Sequence, residues 1–469
     1  MDERYLPLKE KELPTAPRSV SALGVGVVVM GLAIGTGELI LWPHLIVKYG
    51  LGLLWMALVG ITFQYFINQE VARHALATGE SFFTSSSRLF KWFAPFWFFS
   101  AILLYVWPGW ASALGTILAE LFGFGSYVSW ALICLLLVLM MTLSGRVAYI
   151  ILEKSLKITV PTFFILLVFS SFNILSFENI KEAFWGLLNF GYIPNGIDIP
   201  TLMGAVVFAG AGGLLNTCIS LWYRDKQFGM GKYAGRITNP ISGKIESVSV
   251  SGFSFPINKQ SISDWKKWMN FVRIDQGLIF WFLGLITLVL LSLNAFVVLT
   301  PKGLIPEGIN VAIVQAHIFG EGWGVIGYNS FLIMAFLMLF SVMWTIVDAF
   351  TRIITDILYV NSNSGPFEKY LSFFKNVPES YLYYSLVVVI LSSNAILMTF
   401  DQPLVLLTIS AVLGGIAMAI YVPVLIFLNN FKLPKELRPG IITNVAMLLG
   451  AIFYITFSFV LIADKFGYY

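Results

Sequence analysis

The stretch GLAIGTGELILWP, residues 31–43, decides how this chain is read. It lies inside the first long apolar run, interrupts that run with Gly35, Thr36 and Gly37, and then sets a carboxylate, Glu38, at the depth of a bilayer core. Glycine weakens a helix by roughly 1 kcal/mol relative to alanine, and an ionised group in hydrocarbon costs at least about 2.5 kcal/mol. Lipid cannot satisfy the N–H and C=O groups that a helix break frees, so such a break must line a cavity or be buried in protein. The stretch therefore reads as a binding site, with Gly35, Thr36, Gly37 and Glu38 as candidate substrate-binding residues.

Working outward, the whole chain has the composition of a polytopic membrane protein. Of 469 residues 58% are hydrophobic and only 12% charged, about half the charge of a soluble domain. Runs of about 20 apolar residues match the thickness of the hydrocarbon slab. Eleven spans are expected, near 20–48, 51–76, 92–121, 127–144, 155–176, 200–222, 274–299, 323–348, 381–399, 403–429 and 440–462. The polar opening, 1–19, has no cleavable apolar leader, so span one itself should direct insertion. With the N-terminus inside, only Lys48, Lys181, Lys302 and Lys465 of the 29 Lys and Arg fall outside, leaving 25 within. That asymmetry is the positive-inside pattern. It predicts a cell (inner) membrane protein with a cytoplasmic N-terminus and an external C-terminus, and the net charge of +4 then reflects orientation and calls for no nucleic-acid partner. Cys134 and Cys218 sit in apolar runs, as packing residues rather than a disulfide framework.

A second interruption lies in span six, MGAVVFAGAGGLLN, residues 203–216, where Phe208, Ala209, Gly210, Ala211 and Gly212 are the candidate binding residues. Small residues also serve close helix packing. Breaks at corresponding positions of two halves, however, mark an inverted repeat with its solute site near the midplane. The expected architecture is all-α, with about 11 transmembrane helices in a 5+5 inverted repeat broken in helices 1 and 6. Repeat one runs over about 20–176, repeat two over about 200–429, and 440–462 is an extra helix.

The polar insertion 224–273 is cytoplasmic on this count. Within it KIESVSVSGFSF, residues 244–255, suggests a hairpin, and Ser261 with Asp264 suggests a capping box opening a short interfacial helix at DWKKW. The insertion reads as a structured connector or as a regulatory loop.

Several further polar residues have both a bland and a functional reading. Gln64, Gln69 and Glu70 could line a pathway, although Glu70 is placed to pair with Arg73. Glu120 reads as solvated. His44 is about 240° around the helix from Glu38, so the two make no ligand pair, while His74 and His317 lie near membrane surfaces. Asp348, Arg352 and Asp356, at i, i+4 spacing, form either an inner gate or a helix-surface ion network. Tyr105, Trp107 and Trp110 surround Pro108 in span three, facing the site or simply packing. No GxxxxGK[ST], HExxH or GxSxG motif is present, so neither an ATP-driven pump nor a hydrolase is expected within the chain.

The span order, VARHALATGES at 71–81, YIILEKSLKI at 149–158 and the GTGE break itself resemble the Nramp family of metal-ion transporters, within the amino acid, polyamine and organocation superfamily. SLWYRDKQFGMGKYAGRITNP, residues 220–240, is more similar to a divergent branch. The resemblance implies secondary-active transport of a divalent cation by alternating access, with no cofactor and with H⁺ or Na⁺ as coupling ion. It also exposes departures. The family's Asp and Asn positions are Gly35 and Glu38 here, and its Met-Pro-His positions fall on about Phe208, Ala209 and Gly210. Without the thioether, the preference for soft transition metals is lost, and Glu38 remains as the one metal-ligand candidate, suited to a hard cation. AIGTGELILWP and VVFAGAGG are also similar to the breaks of amino-acid permeases, which makes transport of an amino acid or other small organic solute the alternative; a non-transporting receptor is a lesser one. Glu38, Gln64, Asp348 and Arg352 are the coupling or gating candidates. Substrate, coupling ion, direction and oligomeric state stay open at this point.

Overall fold

The computed structural model describes residues 5–17, 23–35, 37–241, 243–305, 311–398 and 403–465. Eight helical stretches among them are long and apolar enough to cross a membrane. They fall at expected spans one to three and seven to eleven. Spans four and five are Tyr127–Leu143 and Ala148–Ser171, and span six is the split pair Ile199–Val207 and Leu215–Asp225. The all-helical 5+5 architecture with two broken helices is thus present. Large apolar side chains such as Phe99, Ile165, Phe172 and Phe459 stand more than half exposed, as lipid-facing positions of an integral membrane protein must.

The packing explains several glycines. A Cβ on Gly60 of span two would lie 2.8 Å from the Val206 carbonyl oxygen, and one on Gly37 would lie 2.1 Å from that of Phe208. Spans one, two and six therefore cross at backbone distance, a packing that only small residues allow.

The structure departs from the sequence reading in four places. Span three is itself broken: Phe93–Tyr105 and Gly109–Phe122 meet at Pro108, where proline removes a backbone donor. Span eight begins sooner and ends later than expected, as helix Val311–Asn363 with a non-helical kink at Gly324. The stretch 244–255 forms no hairpin; Phe253–Ser254 pairs in parallel with Lys9–Glu10 of the N-terminal tail, a partner too distant in sequence for local alternation to reveal. The helix of the insertion starts at Lys259, capped reciprocally by Asn258 and Ser261. It continues through a π-helical stretch, Asp275–Leu283, into Gly284–Leu299, so the short interfacial helix and span seven are one rod.

Candidate functional site

Helix Val25–Ala33 stops where the Gly35 N–H turns back to Ala33 O at 2.9 Å, and helical structure resumes as a π-type segment, Gly37–Leu41, followed by Trp42–Tyr49. A Cβ on Gly35 would lie 2.2 Å from Val342 Cγ2. Thr36 lies outside the described residues. Glu38 is fully buried, and neither carboxylate oxygen has a hydrogen-bond partner among the described residues.

The second break runs from Phe208 to Leu214, with Gly212 and Gly213 at φ +69° and +54°, a left-handed backbone that glycine adopts at little cost. Its freed backbone groups are met by side chains of other spans. Gln64 Nε2 donates to Val207 O at 2.8 Å, and Gln64 Oε1 accepts from Gly212 N–H at 2.9 Å. Tyr105 Oη accepts from Leu215 N–H at 3.1 Å. Gln64 also starts a buried polar string. Asn216 Nδ2 donates to Gln64 and to Asn68 Oδ1, and Asn68 donates in turn to Gln276. Next to Gln276, Asp275 accepts the N–H groups of Gly24 at 3.0 Å and Gly26 at 2.8 Å. Asp275 thereby caps the N-terminus of the first half-helix, where the helix dipole favours negative charge. Sequence reading missed both Asp275 and Asn216, because each acts on a span far away in the chain.

Between the breaks lies a cavity of about 20 Å³, room for about one water. Leu32 and Ala33 line it from span one, Phe208, Gly210 and Ala211 from span six, and Val342 from span eight. Its polar lining comes from Tyr105, Trp110 and Ser410; Trp110 Nε1 is buried and without a partner among the described residues. Of the expected binding residues, then, Phe208, Gly210 and Ala211 reach the cavity and Gly35 backs onto its Val342 wall. Glu38, Ala209 and Gly212 flank the breaks without lining the cavity. On one side of it Trp42 Nε1 donates to Ala205 O at 2.8 Å, and Gln315 donates to Leu39 O. Asp275 holds the other side.

Asp348, Arg352 and Asp356 do not make a helix-surface network, because all three are buried. Arg352 Nε donates to Asp348 Oδ2 at 2.7 Å and its Nη1 to Asp225. Asp356 pairs instead with Arg224, which also reaches Glu379 at 2.7 Å. Tyr383 and Trp222 donate to Asp348 as well. Spans six, eight and nine are thus clamped by four carboxylates around two guanidiniums. Glu70 pairs with Arg73 at 2.8 Å, as expected. His74 is buried, between Asn429 Oδ1 and Ser85 Oγ. His317 is exposed beside Tyr328, and His44 is half-buried. Trp107 turns back to Leu103 O and takes no part in the cavity.

Among the described residues no three His, Cys, Asp or Glu side chains converge as a metal-ligand group. No protein-family model and no curated protein matches the sequence. Solved structures do match the fold. A manganese transporter of Eremococcus coleocola, crystallised as a point mutant, superposes with a TM-score of 0.67 at 12% identity, covering 99% of this chain and 90% of that one. Mhp1, a nucleobase-cation-symport-1 family transporter in a closed conformation with bromovinylhydantoin bound, gives 0.55 at 11% identity over 99% and 96% of the two chains. MhsT in complex with L-phenylalanine gives 0.54 at 14% identity over 96% and 98%. The chain shares the broken-helix fold of these transporters, and the resemblance to Nramp-type architecture is borne out at that level.

Proposed function

We propose that this chain is a secondary transporter working by alternating access, and that it binds a small organic solute with an aromatic or apolar body between the two broken helices. The observation that carries this reading is the cavity, which lies between the two broken helices and whose lining contains no carboxylate, imidazole, thiol or thioether among the described residues. Tyr105, Trp110 and Phe208 offer ring faces and edges, and the idle Trp110 Nε1–H offers one directed donor. Such a mixture, mostly apolar with a few placed polar groups, suits an organic ligand. Two of the structural neighbours hold organic ligands, L-phenylalanine and bromovinylhydantoin. Loading then requires the half-helices to part, since the closed cavity admits no such molecule.

Glu38 serves coupling in this reading. A buried carboxylate without donors is costly unless its charge is compensated, and a proton that arrives and leaves with the solute would supply that compensation. The same orphaned carboxylate supports a second reading, a hard divalent cation that keeps several of its waters. We further propose a cytoplasmic N-terminus and a cytoplasmic insertion 224–273, on the Lys and Arg asymmetry.

Uptake into liposomes containing only this protein tests the scheme. Accumulation of aromatic amino acids or nucleobases, losing its pH-gradient dependence in Glu38→Gln, supports the first reading. Saturable Mg²⁺ uptake that Glu38→Gln abolishes would replace it with the second. Saturable micromolar Mn²⁺ uptake that survives Glu38→Gln would refute both, and absence of any flux would refute transport.

A further inference from the structure

A second, larger cavity lies away from spans one and six, and we infer that it binds a membrane-soluble molecule with an apolar chain ending in an undissociated carboxyl or a carboxamide, held by Asn394. The cavity, about 480 Å³, is bounded by spans three, eight and nine and by the segment that joins the last two. Phe98, Ile102, Phe350, Ile354, Leu386 and Val389 are among its walls. That volume falls within the range of small-molecule sites. It opens toward lipid beside Val389, which is 57% exposed. A smaller apolar cavity of about 200 Å³ shares Phe98, Leu358 and Leu371 with it and prolongs it toward Tyr370. The joined shape suits an elongated body.

Asn394 supplies the chemistry. Asn394 is among the residues that line the larger cavity, it is 1% exposed, and neither Nδ2 nor Oδ1 has a hydrogen-bond partner among the described residues. Leaving a buried donor and acceptor both unmet is costly, because each has given up its hydrogen bonds to water. Water is a poor remedy, because an ordered water needs two to four polar partners. The other polar wall residue, Ser393, already donates to Val389 O at 2.9 Å. A carboxyl or carboxamide presents a donor and an acceptor side by side, as the asparagine amide does, and closes two hydrogen bonds at once. An ester or a bare hydrocarbon cannot. An ionised carboxylate would meet no cation among the wall residues, so the neutral form binds. Tyr105, whose ring centroid lies 6.1 Å from that of Phe350, separates this cavity from the one between the breaks, so the inference is independent of the proposed transport.

The test uses the full protein in lipid nanodiscs and a diazirine-bearing analogue of decanoic acid. After photolysis and digestion, adducts are expected on the segments 98–106 and 386–394. Decanoic acid and decanamide should displace them, and methyl decanoate should do so about tenfold less well, as the loss of one buried hydrogen bond requires. Asn394→Leu, close in size but apolar, should erase the preference for acid over ester, with displacement by the ester falling by no more than the one hydrogen bond that its carbonyl loses. Adducts spread evenly over the lipid-facing spans would overturn the inference. So would equal displacement by acid and ester in the unaltered protein, a measurement that needs no variant to fold.

Discussion

Gly212 donates its backbone N–H to Gln64 Oε1 at 2.9 Å, so the broken sixth span is completed by a side chain of the second. Gln64 Nε2 in turn donates to Val207 O, so one side chain meets both the residue before the unwound segment and Gly212 within it. Gln64→Leu should therefore destabilise the fold by about 1–3 kcal/mol for each group left unmet. Gln64→Glu, which keeps the acceptor but loses the donor, should fall between. Thermal unfolding of the purified variants, with uptake per folded molecule measured alongside, checks the order. Equal stability of Gln64→Leu and the parent would refute it.

The glycines of the first break should be intolerant for reasons of space. Gly37→Ala forces a methyl group onto the Phe208 carbonyl, and overpacking of this kind costs roughly 1–3 kcal/mol. Gly440→Ala, where a Cβ meets nothing within 4 Å, should be neutral. Expression and melting temperature of the pair give the comparison.

Arg352 neutralises Asp348 and Asp225 in a fully buried setting. Arg352→Leu leaves Asp348 without a cation and Asp225 with only the longer Arg224 contact at 3.4 Å, and should cost about 3–5 kcal/mol, seen as aggregation or loss of the monodisperse peak on size exclusion. Arg352→Lys should rescue only in part, because a point charge cannot match a fork that serves two acids.

The orientation can be tested with two cysteines. Ser251 is buried and would resist a thiol reagent on either side, whereas Ile241 is 81% exposed. Ile241→Cys should react with an impermeant maleimide only after cells are permeabilised, and Asn195→Cys, at an exposed position expected on the opposite side, should react in intact cells. The native Cys134 and Cys218 are buried and should contribute little background. Labelling of Ile241→Cys in intact cells would invert the proposed topology.

What could be read from the sequence was whatever depends on local pattern. The breaks at Gly35–Gly37 and Gly210–Gly213 announce themselves by composition, and nearly every span by its apolar length. What escaped depends on partners far apart. Asp275 looks like the polar start of a span, and only the fold brings it to Gly24 and Gly26. The strand at Phe253 could not be separated from a hairpin without knowing that Lys9 lies beside it. Asp348 and Arg352 were visible as an i, i+4 pair, but their burial follows from Asp225 and Tyr383 closing over them. Glu38 was conspicuous, yet its offset from the cavity depends on the turn of the π-type segment, which no periodicity encodes.

The continuity of the rod from Lys259 to Leu299 has a mechanical consequence. Asp275 grips the first half-helix sixteen residues along that rod, about 24 Å from its free end at the helical rise per residue. The rod is then a lever gripped at Asp275, with its shorter arm in the insertion and its longer arm, on to Leu299, in the membrane. Just before that arm, Phe253–Ser254 holds Lys9–Glu10, the tail that leads back into the same half-helix. Tail, insertion, rod and half-helix make a closed linkage, so the first half-helix cannot swing alone. Any tilt that opens its side of the protein is carried along the rod to the insertion, and any molecule that seizes the insertion acts as a brake on the swing.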